Sequence, residues 1–457
     1  MTPRAARRRF LRTASLLSLA GAAGPLALNL AALGAASAQT GGYKALVCLF
    51  MIGGNDHYNT LVPYDAASYA DYANARSNLA LSQASLTATE VGPVASQGGR
   101  DFAFHPALGA FKQLYAQNKL AVVANVGPLV VPTTRAQYQG NAVPLPPRLM
   151  AHDWQVKAWQ VCASNGPSDQ PGWGGRIGDM LAHLNANSTF TAVSPGGSCL
   201  WLAGQNVAQF QASPSGALSM WSSAYDNALW NTGQAYQNMI TSTGANLLEN
   251  QIAQTNATSI AANALLASAM PPPSVFGTPT PPGNAFASQL NLVARLISAR
   301  SALGSQRQVF MVALPDFDFH ANLLWRQNQL LQGVNDAVAA FQGWIGEMGL
   351  DNQVTLFTAS DFGRTLNSNG QGSDHGWGSH HFAVGGAVQG GTIYGQVPLT
   401  RFGVAEDIGN GVLVPTTAVD QYAATFARWL GVADGDIASV LPNIGNFGTG
   451  RYLGFMG

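Results

Sequence analysis

The sequence predicts an α/β fold: a mostly parallel central sheet with helices on both faces, carrying a helical insertion. Three observations predict it. Residues 44–52, 308–314 and 354–359 are apolar runs with the length and composition of buried strands. Residues 290–360 read helix–strand–helix–strand, the pattern of a crossover unit between parallel strands. Each of the three runs leads into acidic residues, and open α/β sheets bind ligands in the crevice outside the carboxyl ends of their strands.

Taken in order, the chain of 457 residues begins with an export address. Arg7-Arg8-Arg9-Phe10-Leu11-Arg12 matches a twin-arginine signal. An uncharged Ala/Leu/Gly stretch follows, and Ala36-Ser37-Ala38 is an A-x-A cleavage site. The stretch is long enough to span a membrane, but its Ala, Gly, Ser and Pro25 make it weakly apolar, so a cleaved signal over 1–38 is expected. The implied location is periplasmic or secreted, and the implied partner is the twin-arginine export machinery.

The formal charge of zero conceals an asymmetry. Residues 1–38 hold five of the 22 Lys and Arg and none of the 22 Asp and Glu. Without them, 17 basic face 22 acidic residues, near −5. No basic patch points to nucleic acid. The mature chain, 39–457, suits one large α/β domain. Cys48 lies in an apolar run and reads as a buried thiol, whereas Cys162 and Cys199 are expected to pair in an oxidising compartment.

The first strand, 44–52, ends at Gly53-Gly54-Asn55-Asp56-His57, where two glycines let the backbone turn off the sheet. A helix over 104–118 and a strand over 120–126 follow. His152-Asp153 sits where it either takes part in chemistry or caps the next helix, and Asp is a common cap. Arg176, in Gly172-Trp173-Gly174-Gly175-Arg176, could meet an anion or a structural carboxylate. Residues 215–270 are polar and helical in spacing, and a proline-rich loop runs on to about 283; together they read as the insertion. The strand 308–314 delivers Asp316-Phe317-Asp318-Phe319-His320. A helix over 324–348 follows, with apolar residues at spacings of three and four. The strand 354–359 then delivers Asp361, and the next loop carries Asp374-His375.

Carboxylates crowded at one sheet edge repel one another unless a cation neutralises them. The sequence therefore proposes Asp56, Asp318, His320, Asp361 and His375 as ligands of a divalent metal (Zn, Mn, Ca or Mg), one ion or two.

These motifs also resemble a family. GGND after the first strand, Asp318-Phe319-His320, Ser360 to Arg364 and Asp374-His375-Gly376-Trp377-Gly378 are similar to the exported bacterial family known as domain of unknown function 1501. GWGGR and VDQYAATFARWLGV fit it as well. That family resembles a branch of the alkaline phosphatase and sulfatase superfamily. The resemblance implies an alkaline phosphatase-like fold, one or two metals, and hydrolysis of phosphate or sulfate esters. It implies that Asp56 and Asp361 bind one metal, and Asp318, His320 and His375 the other. The chain departs from the pattern twice. Phe362 stands where two-metal members carry a His, and Ala151 stands where a Ser nucleophile is expected before His152. The attack then falls to water activated by the metal, to Thr133 or Thr134, or there is no catalysis.

Two functions follow. One is an exported metal-dependent hydrolase of small anionic esters, with Arg364 or Arg176 clamping the anion and His152 or His380 as acid for the leaving group. The other is a non-catalytic, metal-stabilised envelope protein. The leader itself is testable. Replacing Arg7 and Arg8 with Lys should strand a longer precursor in the cytoplasm, seen by fractionation and immunoblotting; normal processing would remove the twin-arginine reading.

Overall fold

The computed structural model describes residues 42–162, 170–213 and 232–457. The export leader and residues 215–231 of the expected insertion lie outside them. Twelve strands form within Lys44–Gly457 among the described residues: β1 (Lys44–Met51), β2 (Leu61–Pro63), β3 (Glu90–Val94), β4 (Arg100–Phe104), β5 (Leu120–Gly127), β6 (Ala192–Ser194), β7 (Phe210–Gln211), β8 (Arg307–Leu314), β9 (Val354–Ser360), β10 (Ser379–Val384), β11 (Ile393–Tyr394) and β12 (Thr417–Ala418).

Nine of these form one mixed, mostly parallel sheet in the order β11-β5-β10-β9-β1-β8-β6-β7, with β12 beside β5. β1 is central and, after Lys44, apolar and buried throughout, as a strand covered on both faces must be. It pairs in parallel with β8 and β9, with Met51 opposite both Leu314 and Ser360. The expected crossover from β8 to β9 exists, but it passes over β1, which lies between them. That register brings the three carboxyl ends level and side by side. β10 runs antiparallel to both β9 and β5. β2, β4 and β3 form a separate antiparallel sheet that the sequence reading does not contain.

Helices cover both faces. Leu46, Cys48 and Phe50 share one core with the helices α1 (His152–Val161), α2 (Trp173–Leu181) and α5 (Val419–Leu430). Strand side chains alternate, so the equally buried Val47 and Leu49 face the other way. On that side α3 (Ala285–Ser298) packs on β8 and on α4 (Leu323–Glu347). The first helix of the expected helix–strand–helix–strand unit thus starts before 290, behind the Asn284 cap, and ends at Ser298. The one expected over 104–118 is Gly109–Ala116, because β4 holds the chain extended to Phe104. The helices Thr232–Thr241 and Leu247–Ala269 pack on each other. No described helix is long and apolar enough to cross a membrane. All three cysteines are free; Cys162 lies buried with its thiol toward the Trp159 carbonyl, which corrects the expected Cys162–Cys199 pairing.

Gly53 shows how tightly the strand ends pack. Its φ is +121°, and a Cβ there would lie 2.4 Å from the Asp318 amide nitrogen. Gly53→Ala should therefore lower stability by about 1–3 kcal/mol, from left-handed strain alone. Urea denaturation checks this, and an unchanged midpoint would contradict the close packing.

Candidate metal centre

The site is built where β1, β8 and β9 end. Asp361 follows β9 and is 1% exposed. Its Oδ1 accepts from the Gly53 amide at 2.9 Å, and its Oδ2 lies 2.8 Å from His152 Nδ1. A carboxylate can only accept, so that nitrogen carries the proton. The same logic fixes two more rings. His375 Nδ1 donates to the Met150 carbonyl at 2.8 Å, and His320 Nδ1 faces Asp374 Oδ1 at 3.2 Å. In each neutral histidine, Nε2 is then left as a lone-pair acceptor.

All three Nε2 atoms turn toward Asp318. His152 Nε2 is 3.6 Å from Asp318 Oδ2, while His320 and His375 Nε2 are 3.2 and 3.4 Å from Oδ1. His320 and His375 Nε2 are 2.9 Å apart. Ligand atoms of His152, Asp318 and His375 lie within 4.8 Å of one another. Three imidazole acceptors and a carboxylate that converge, each ring held from behind by an oxygen, are the donor set and support of a divalent transition ion. The residues present therefore fit a metal.

The electrostatics differ from group to group. Burial works against ionising Asp318, but the hydrogen bond and charge of Arg364 prevail and hold it below the usual carboxylate range. The Asp361 hydrogen bond raises His152, while burial lowers His375 and keeps it neutral toward the cluster. Phe362 packs on both rings, with centroids 4.8 Å from His152 and 4.5 Å from His375, so it forms an apolar wall on one side of the cluster.

Several sequence expectations change here. Asp56 stands beside the cluster in the sheet but turns away. It forms an ion pair with Arg76, both side chains fully buried, and it caps the His57–Thr60 helix through the Tyr58 amide. Asp361 supports His152 rather than joining the converging acceptors. His152, expected as an acid or a helix cap, instead points into the cluster. The helix cap is Ala151, with no side-chain bond. Arg364 is no anion clamp: it is fully buried, and its donors go to the carbonyls of Gly53, Gly54, Phe317 and Ser373 and to Asp318. Arg176 lies elsewhere, bonded to the carbonyls of Val440, Pro171 and Val161. His380 is buried, accepts from the Asn125 amide at 3.0 Å and is pushed down to about 3 by burial, so it cannot serve as an acid near neutral pH. Thr133 donates to the Val131 carbonyl, and Thr134 caps the Arg135–Gln139 helix.

Three contributors escape sequence reasoning. The Met150 carbonyl acts through the backbone, at a left-handed φ of 67°, and carries no residue signal. Asp374 was legible as His375's neighbour in sequence but supports His320 instead. Phe362 was legible only as a missing histidine.

Comparisons with known proteins add the following. A family model described as "protein of unknown function (DUF1501)" matches residues 43–436. A comparison with curated proteins finds no match. Among solved structures, the chain is similar to the lipoteichoic acid synthase LtaP from Listeria monocytogenes, at 7% identity over 86% of this chain and 73% of that one, TM-score 0.37. It is similar to the sulfatase PsFucS1 from Pseudoalteromonas sp., at 10% identity over 89% and 71%, TM-score 0.34. It is similar to the C-terminal periplasmic domain of EcEptC from Escherichia coli in complex with Zn, at 10% identity over 86% and 83%, TM-score 0.33. Likeness of this degree assigns no activity.

The geometry separates residues that face the centre from residues that only hold it. Asp318→Ala or His375→Ala should abolish stoichiometric metal. Asp374→Ala should weaken affinity by about 10- to 100-fold, as loss of an orienting partner does. Asp56→Asn should leave metal stoichiometry intact while destabilising the fold by about 3–5 kcal/mol, the cost of breaking a buried pair. Elemental analysis with thermal melts checks all four, and metal loss in Asp56→Asn would reinstate Asp56 as a ligand.

Proposed function

The chain belongs to the DUF1501 family, and from that premise we propose that it is an exported, metal-dependent hydrolase of small phosphate or sulfate esters. The observation that carries the reading is the convergence of three histidine Nε2 atoms on the Asp318 carboxylate. His152, His320, His375 and Asp318 would hold one divalent ion. Three imidazoles to one carboxylate favour Zn or a similar transition ion over Ca or Mg. When bound, such an ion supplies Lewis-acid polarisation of an ester oxygen.

The chain's own residues prepare that chemistry. Asp361 keeps the proton of His152 on Nδ1, and Asp374 does the same for His320, so both rings present Nε2 in one orientation. The Met150 carbonyl does so for His375. Phe362 packs an apolar ring against His152 and His375. Arg364 fixes Asp318 as an anion. Ala151 has no hydroxyl to offer, so this reading assigns the attack to water rather than to a side chain. A single centre follows from Phe362 and from the commitment of Asp56 to Arg76.

Ala151 also supports a second reading, a metal-stabilised envelope binding protein without catalysis. Metal-replete protein should be assayed against phosphomonoesters, phosphodiesters and sulfate esters. The hydrolase reading expects turnover in one class, reduced at least about 100-fold in His375→Ala, since even orienting partners of a ligand cost 10- to 100-fold. Inactivity in all three classes would favour the second reading.

A further inference from the structure

The loops that build the centre, residues 52–57, 148–155, 316–326 and 361–378, contain three cationic side chains: Arg148, Arg326 and Arg364. Two are committed to the fold. Arg364 is fully buried among carbonyls and Asp318. Arg326 donates to the carbonyls of Asp318 and Asp316 at 2.9 and 2.8 Å. Arg148 differs. It is exposed, and among the described residues its side chain has no hydrogen-bond or ion-pair partner; its guanidinium carbon rests 5.0 Å from the centroid of the Trp154 ring.

The place of Arg148 is not incidental. It stands two residues before Met150, whose carbonyl holds His375, and four before His152. Its Cα is therefore within about 7 Å of the Met150 Cα, the limit set by chain geometry. The turn is firmly held. The Ala151 amide bonds to the Arg148 carbonyl, the Met150 amide to Gln155 Oε1 at 2.6 Å, and Gln155 Nε2 to the Trp377 carbonyl. Arg148 and Met150 both sit at positive φ, 46° and 67°. Non-glycine residues held there cost free energy, and such strain clusters at functional positions. Stacking on an indole is a weak hold for an exposed guanidinium, so an oxyanion can outcompete it.

An incoming anion meets Asp318, Asp361 and Asp374 at this centre and needs a cation with donors to offer. We propose that Arg148 is the anion-binding residue of the site. It leaves the Trp154 face and takes, through its planar fork, the non-bridging oxygens of a tetrahedral oxyanion, phosphate or sulfate, seated at the histidine cluster. The inference rests on the reading of the cluster as an ester-hydrolysing metal centre and names the group that recognises the substrate's charge.

The test is binding, separate from turnover. Zn-loaded wild type, Arg148→Gln and Arg148→Lys are titrated calorimetrically with inorganic phosphate and with sulfate, and metal content and melting temperature are measured on the same samples. Wild type should bind at least one of the two anions, which also separates phosphate from sulfate. Arg148→Gln should weaken that binding tenfold or more with metal content unchanged. Arg148→Lys, which keeps the charge but loses the fork, should fall between them and serves as the test if the Gln variant does not fold. Wild type that binds neither anion, or variants that bind like wild type, would overturn the proposal. Arg148-dependent binding in a protein inert toward every ester would instead leave the proposal standing and remove the hydrolase reading.

Discussion

Everything at the carboxyl end of this sheet depends on one constraint: three imidazoles are turned toward one carboxylate. Asp361, the Met150 carbonyl and Asp374 each take an Nδ1 proton, from His152, His375 and His320, and so turn three lone pairs inward to meet the Asp318 carboxylate. His320 and His375 Nε2 meet 2.9 Å apart, and each of the three Nε2 atoms meets Asp318 at 3.2–3.6 Å, acceptor facing acceptor. A cation at the centre satisfies them together, which is why the arrangement reads as a metal centre rather than as a hydrogen-bonded network.

Charge leads to the same conclusion. Asp56, Asp318, Asp361 and Asp374 bring four carboxylates to the strand ends, and Arg76 and Arg364 bring two guanidinium groups. Two negative charges remain, the charge a divalent ion neutralises. The two arginines divide the labour. Arg76 withdraws Asp56 from the centre and buries it, while Arg364 ties the backbone at Gly53, Gly54, Phe317 and Ser373 to the carboxylate of Asp318. A buried pair is costly to desolvate and costly to break. These pairs are best understood as fixing geometry, with Gly53 and Gly54 allowing the loops to approach closely enough for the fixing to work.

Much of this was legible before the structure. The runs at β1, β8 and β9 are long and apolar enough to read as buried strands, and each leads to a carboxylate, so the crevice and its acidic character follow from sequence alone. Which way a carboxylate turns does not. Asp56 is decided by Arg76, 20 residues on and buried in another helix. The roles of Arg176 and His380 are decided by burial among carbonyls and an amide that no spacing reveals. β10 was missed because Ser379–Val384, SHHFAV, is short and reads as the tail of a glycine-rich loop. His152 was noticed, but its partner Asp361, 209 residues away, was not.

The central claim is that the four converging groups hold one ion. The most direct measurement is anomalous diffraction at a metal absorption edge, from crystals of protein purified without added metal. The account predicts a single peak about 2.0–2.2 Å from an Asp318 oxygen and from Nε2 of His152, His320 and His375. No peak there, or a second peak coordinated by Asp56 and Asp361, would contradict it.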